Sequence, residues 1–239
     1  MSFNMYINDL HILYYLGFGF IGLIIGQLID WFNVRVSEEK QILSMDFFRI
    51  YIKNSKPHYI DMFLTAVLYV INLYIYGIKD VKTYENIFLI PLLISAFYMG
   101  IKKNSLSKRT VLTLLEIGIM FTFIEGISNL NIAIEKIIGA LAAVLICFFI
   151  IFLEKVLFKK KTNNYEDMKL IVILGLFFGY KKIIIISVIS YLIAAITDII
   201  LMIKQKKDVK ENINLGSFVS AISIVLILVP IDQIILFLL

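Results

Sequence analysis

Twenty consecutive residues, Leu10 to Ile29, contain no aspartate, glutamate, lysine or arginine. An uncharged apolar run of that length is what a helix needs to cross a bilayer. The run is one of a series. Similar stretches recur at roughly 10–32, 60–78, 87–101, 110–128, 136–157, 168–180, 182–203 and 215–239, with short charged segments between them. Hydrophobic residues fill 60% of the 239 positions, which leaves too little polar surface for a soluble domain. The fold class that follows is all-α: a polytopic transmembrane helix bundle of about eight spans. The third and sixth stretches are short. The sixth meets the seventh at Gly179-Tyr180-Lys181-Lys182, which requires a tight turn, and seven spans is the other way to count them.

The basic residues assign a side to each loop. With eight spans, 18 of the 23 lysines and arginines fall in one set of loops, among them Arg35, Lys102, Lys103, Arg109, Lys159, Lys160, Lys161, Lys169 and Lys204. The other set holds Lys79, Lys82, Lys136, Lys181 and Lys182. Cytoplasmic loops carry the basic excess, so the first set is expected in the cytoplasm and both termini outside. No lysine or arginine precedes Arg35 and no small-residue cleavage site follows the first run, so that run reads as an anchor rather than a removable signal. Residues 1–239 read as a single membrane domain. Its largest loop, 33–59, mixes both charge signs with Phe47, Phe48, Ile50 and Tyr51, as a short amphipathic segment on the cytoplasmic membrane surface would.

Several functions are disfavoured. Cys147 is the single cysteine, so no intrachain disulfide and no CxxC zinc spacing exist. His11 and His58 fall on opposite sides of the membrane in this topology and make a poor metal pair. No phosphate-binding glycine loop, HExxH or GxSxG is present, so neither cofactor nor metal is expected. Basic residues are not interleaved with aromatics in a stripe, which argues against nucleic acid. The lipid bilayer is the one partner that composition alone implies.

Ionisable residues in apolar stretches are costly and therefore informative. Asp61, Glu154, Asp198 and Asp232 sit near stretch ends, where a side chain reaches headgroup water. Glu116 lies about two turns inside the fourth stretch, where a carboxylate must be neutral, paired or facing a wet cavity. Asp167 and Lys169 stand at the entry to the sixth stretch. A carboxylate there also suits simple capping of a helix N-terminus.

Glu166-Asp167-Met168-Lys169-Leu170, followed by Gly175 and Gly179-Tyr180, resembles the GxGDxKL segment of the type IV prepilin peptidase family, a group of membrane-embedded aspartic peptidases. Gly22 to Gly26 with Asp30 and Arg35 is similar to that family's opening GLIIGSFLNVVIYR. Ile138-Gly139-Ala140 matches a stretch ahead of its aspartate loop, and Gly216 and Phe218 fall where it has FGPF. The resemblance implies a prepilin-peptidase-like bundle in the bacterial cytoplasmic membrane. It implies Asp167 as a catalytic aspartate, and handling of a prepilin or pseudopilin leader at the cytoplasmic face. Glu166 and Lys169 would then contact substrate, with the acidic pair Glu166-Asp167 suited to a basic leader.

The departures concern the chemistry. Asn164 and Glu166 replace the two glycines of GxGD. The family's first catalytic aspartate, in a pattern like IDLKHQIIPNRITL, aligns with Gly100, anchored by Lys102 and Arg109. Asp80, in Asp80-Val81-Lys82-Thr83, also resembles a family aspartate segment and would be the partner if the second stretch were re-entrant; Glu116, Asp30 and Glu166 are further candidates. The 33–59 loop is too short for the family's cysteine-bearing module, so N-methylation is not implied. Three readings stay open: a working prepilin peptidase, an inactive member that binds prepilins or pilus-assembly partners, and a small transporter. Oligomeric state is open too, since Gly22-xxx-Gly26 and Gly175-xxx-Gly179 suit packing within or between chains.

Overall fold

A computed structural model describes residues 6–8, 10–37, 58–103, 106–158, 165–203 and 215–229. Among these, seven helices form: α1 (Ile12–Ser37), α2 (Tyr59–Tyr76), α3 (Val81–Lys103), α4 (Lys108–Ser128), α5 (Leu130–Phe158), α6 (Tyr165–Ile203) and α7 (Leu215–Leu228). The first six each contain a window long and apolar enough to cross a membrane. Their outward residues are apolar as well: Phe123 and Leu145 are 70% and 71% exposed. The chain is a polytopic all-α membrane protein. Residues 38–57, the bulk of the expected surface segment, lie outside the described residues, as do Asn164 and Asp232. The chain forms two compact units, Met1–Ser95 and Ala96–Leu239.

In the first unit, two short strands precede α1. β1 (Tyr6–Ile7) and β2 (Leu10–His11) pair antiparallel, and Asn8 takes a positive φ of 47° at the turn, which asparagine tolerates. α1 and α2 cross antiparallel at the two glycines one turn apart. A Cβ on Gly22 would lie 2.6 Å from Ala66 Cα, and one on Gly26 would lie 2.6 Å from Asp61 O. Pro91 sits inside α3 and has no N–H for the carbonyl of Ile87. The buried Tyr69 hydroxyl of α2 donates to that carbonyl at 2.5 Å, so the Ile87 carbonyl keeps a donor. Beside it, Asn72 Nδ2 donates to Thr83 O at 3.0 Å and Asn86 Nδ2 to Asn72 Oδ1 at 2.8 Å.

In the second unit, α5 and α6 also cross antiparallel over glycines. A Cβ on Gly139 would lie 2.5 Å from Gly175 O and 2.6 Å from Gly179 C, and one on Gly175 would lie 2.7 Å from Ala140 Cα. Both GxxxG pairs are thus occupied by contacts inside the chain. α4 joins α5 through the single residue Asn129, and a buried ion pair of 2.6 Å, Lys136 with Glu125, ties the two helices near that joint.

The sixth and seventh stretches form one element, α6, interrupted at Gly179 (φ 69°, ψ 179°). Asp167 is hydrogen-bonded to the amides of Leu215 and Gly216, so the start of α7 is fixed beside the start of α6. A straight helix from Asp167 to Ile203 would rise about 54 Å. The twelve links from Ile203 to Leu215 reach at most about 43 Å. The chain therefore has to bend within α6, and Gly179 is the residue whose backbone does so. The break falls at the first residue of the turn expected over Gly179-Tyr180-Lys181-Lys182, and the other three residues are helical.

Candidate functional site

Asp167 occupies the first turn of α6, and only 3% of it is exposed. Its carboxyl accepts the backbone N–H groups of Leu215 and Gly216, at the first turn of α7. These amides have no partner within their own helix, so a carboxylate there satisfies them and complements the positive end of the helix dipole. The other end of α7 is treated in mirror fashion. Lys182 Nζ donates to Leu226 O at 3.1 Å and Val229 O at 3.4 Å, among the last carbonyls. α7 therefore lies parallel to the first part of α6, with an acid of α6 at its N-terminus and a base of α6 at its C-terminus.

Gly216 admits the carboxyl because it has no side chain. A Cβ there would stand 2.6 Å from Asp167 Oδ1 and 2.7 Å from Leu106 Cδ1. Leu106 is itself buried, and it precedes Ser107, whose Oγ accepts Arg109 N at 3.3 Å and caps α4. The residue just before α4 and the Asp167 carboxyl thus flank the same space beside Gly216. Sequence reasoning placed Gly216 by its resemblance to FGPF and missed Leu106, for which an apolar residue in a loop gives no signal. On the far side of the turn, Cys147 Sγ of α5 lies 3.7 Å from Met168 O.

Glu166 pairs with Lys169 at 2.9 Å along the outer face of α6, and Lys169 is exposed. Their charges largely offset one another, which weakens Glu166 as a docking point for a basic segment. Glu116 is on the exposed face of α4, between the outward-facing Leu112 and Ile119. Gly100 is buried in α3 and, unlike Gly77 and Gly179, does not have a positive φ. Asp80 belongs to the first unit and acts locally there. Its Oδ1 accepts Lys82 N at 2.9 Å and its carbonyl accepts Thr83 N at 3.1 Å, which starts α3. Among the described residues, no group of three or more His, Cys, Asp and Glu could hold a metal ion.

The arrangement offers one buried carboxyl held by backbone amides at a helix junction. A single carboxyl can exchange a proton or activate a water, and peptide hydrolysis by an aspartic mechanism needs a second one nearby.

The sequence profile of the type IV leader peptidase family matches residues 87–199. Among curated relatives, a prepilin leader peptidase/N-methyltransferase of Aeromonas hydrophila is 26% identical over 128 residues, covering 54% of this chain and 43% of the relative. A protein of the same description from Aeromonas salmonicida (strain A449) is 27% identical over the same length and shares. The matched region thus spans less than half the length of these relatives. No solved structure matches the chain. Asp80 and Gly216 lie outside the profile match; Gly100, Glu116, Glu166, Asp167 and Lys169 lie inside it. The segment 87–199, which contains the buried Asp167, is the part of this chain that matches the type IV leader peptidase family.

Proposed function

We propose that this protein handles the leader peptides of prepilin-type or pseudopilin substrates at the cytoplasmic face of a bacterial cytoplasmic membrane, with Asp167 as its working carboxylate. The observation that carries this reading is the placement of Asp167. It is a buried acid of the family-matched segment, held at the entry of α6 by the amides of α7, whereas Glu125, the other buried acid there, is paired with Lys136. In the chemistry expected of the family, an ionised carboxylate takes a proton from water as the water attacks the scissile carbonyl. A second, protonated carboxyl gives its proton to the leaving nitrogen. Asp167 supplies one member. Glu116 and Asp80 are the candidates for the other, Glu116 within the same compact unit and Asp80 in the other. A substrate with a short basic leader followed by an apolar helix would lie with the leader in water and the helix in lipid.

The test uses membranes containing the full chain and a prepilin-type peptide of that design. Release of the leader, followed by mass spectrometry, is the expected result. A peptide that is neither cut nor retained by the membranes would remove leader handling as the function.

A further inference from the structure

Several glycines in the described helices stand where a side chain would collide, and they are not equivalent. At Gly139 and Gly175 the colliding atoms are backbone, at 2.5 and 2.6 Å, so a side chain there would push helices apart. At Gly216 the colliding atoms are the ends of two side chains, Asp167 Oδ1 and Leu106 Cδ1. A methyl group at 216 would not meet another helix axis. It would meet the carboxyl.

We propose that Gly216 is a positioning residue for Asp167, forming a side-chain-free notch at the start of α7 that Leu106 closes from the α3–α4 link. The proposal rests on the reading of Asp167 as the working carboxylate. Three elements then constrain one carboxyl: α6 carries it, α7 offers it the amides of Leu215 and Gly216, and Leu106 bounds the space it can enter. Hydrogen bonds from fixed backbone donors cost no reorganisation during reaction, so they hold a carboxylate in a productive geometry more firmly than mobile side chains do. An aspartate has only two side-chain torsions. When Oδ1 is displaced by a Cβ at 216, the carboxyl has to rotate away from the amides, because the α7 backbone is anchored at its far end by Lys182. The notch is thus matched to the head group of Asp167, while the glycines of the α5–α6 crossing are matched to helix packing.

The two roles separate in experiment. The full chain is compared in detergent micelles as wild type, Gly216→Ala, Gly175→Ala and Asp167→Asn. A membrane-permeant carbodiimide serves as probe, and modification at Asp167 is quantified by peptide mass spectrometry, with Asp167→Asn as the blank. Gly216→Ala is expected to keep a wild-type melting transition and to raise the modification rate of Asp167 by about threefold or more, because the carboxyl has lost its backbone donors. Gly175→Ala is expected to lower the melting transition. On the prepilin-type peptide, Gly216→Ala should lower kcat by about tenfold with KM nearly unchanged, as displacement of a group acting in the transition state does. An unchanged Asp167 modification rate in Gly216→Ala would overturn the proposal. So would loss of the folded state in that variant, since the notch would then serve folding as Gly139 and Gly175 do. If no variant cuts the peptide but the modification rate still rises, the positioning of the carboxyl stands and only its use in peptide cleavage falls.

Discussion

Asp167 has two possible employments at the residue scale, and a single substitution divides them. As a cap it needs only an acceptor oxygen for the amides of Leu215 and Gly216. As a working acid it must exchange a proton. Asparagine keeps the acceptor and the shape but does not exchange a proton at neutral pH. Asp167→Asn is therefore expected to insert and fold normally and to lose leader cleavage altogether, measured by peptide release in membranes; cleavage at the wild-type rate would rule Asp167 out. Gly100 poses the complementary question. It is buried within α3 and has no positive φ, so a side chain there meets no backbone strain. Gly100→Asp is expected to raise cleavage of a prepilin-type peptide, and the gain is expected to disappear when Asp167→Asn is added, because paired carboxyls act as a unit. Gly100→Ala controls for the improved helix propensity, about 1 kcal/mol. Robust cleavage by the wild type that Gly100→Asp leaves unchanged or destroys would direct the search for the second acid to Glu116 and Asp80.

At the scale of elements, helix breaks and buried polar groups are settled by particular neighbours. Pro91 frees the Ile87 carbonyl, and Tyr69 takes it. Tyr69→Phe keeps the ring and strands that carbonyl, at an expected cost of about 1–3 kcal/mol, readable as an earlier denaturation midpoint in detergent. A midpoint equal to wild type would mean another donor reaches Ile87 O. The Lys136–Glu125 pair joins α4 to α5 in a buried setting. Removing one partner leaves an uncompensated charge, so Lys136→Met alone is expected to cost about 3–5 kcal/mol. Lys136→Met with Glu125→Leu should recover much of that, because the burial penalty of both charges is removed together. Equal losses in the single and double variants would show that the pair contributes through other contacts.

At the scale of the whole molecule, the distribution of basic residues predicts the orientation of the helices in the membrane. The basic loops predict that the ends carrying Lys102 and Tyr165 are cytoplasmic and those carrying Lys79 and Asn129 are outside. Thr83 is buried and donates its hydroxyl to Gly77 O, so a cysteine there would label poorly from either side. Lys79, Lys102, Asn129 and Tyr165 are all exposed. Single cysteines at these four positions, in a background where Cys147 is replaced, are expected to react with an impermeant maleimide from opposite sides in two pairs. Labelling of Lys79→Cys from the cytoplasm would invert the assignment for Asp80 and favour it over Glu116 as the second acid.

What the sequence determined by itself is whatever depends on local composition and spacing. Apolar runs of membrane length fixed the fold class, because a bilayer admits only helices or closed barrels and each run satisfies its own backbone. Gly22, Gly26, Gly175 and Gly179 were legible as close-packing positions, and the order of motifs around Asp167 pointed to the family that the profile match then returned for residues 87–199. The tertiary structure decided what those positions touch. Only it shows that both glycine pairs are used within the chain, that α6 bends at Gly179 rather than at the lysines beside it, and that Glu166 is already paired with Lys169. The candidate site belongs to the same class. Asp167, Gly216 and Leu106 are separated by tens of residues, and their meeting depends on α7 returning beside α6 with an acid at one end and a lysine at the other. Long-range approach of that kind leaves no periodic trace in a sequence, because it is set by how packed helices meet and not by any one helix.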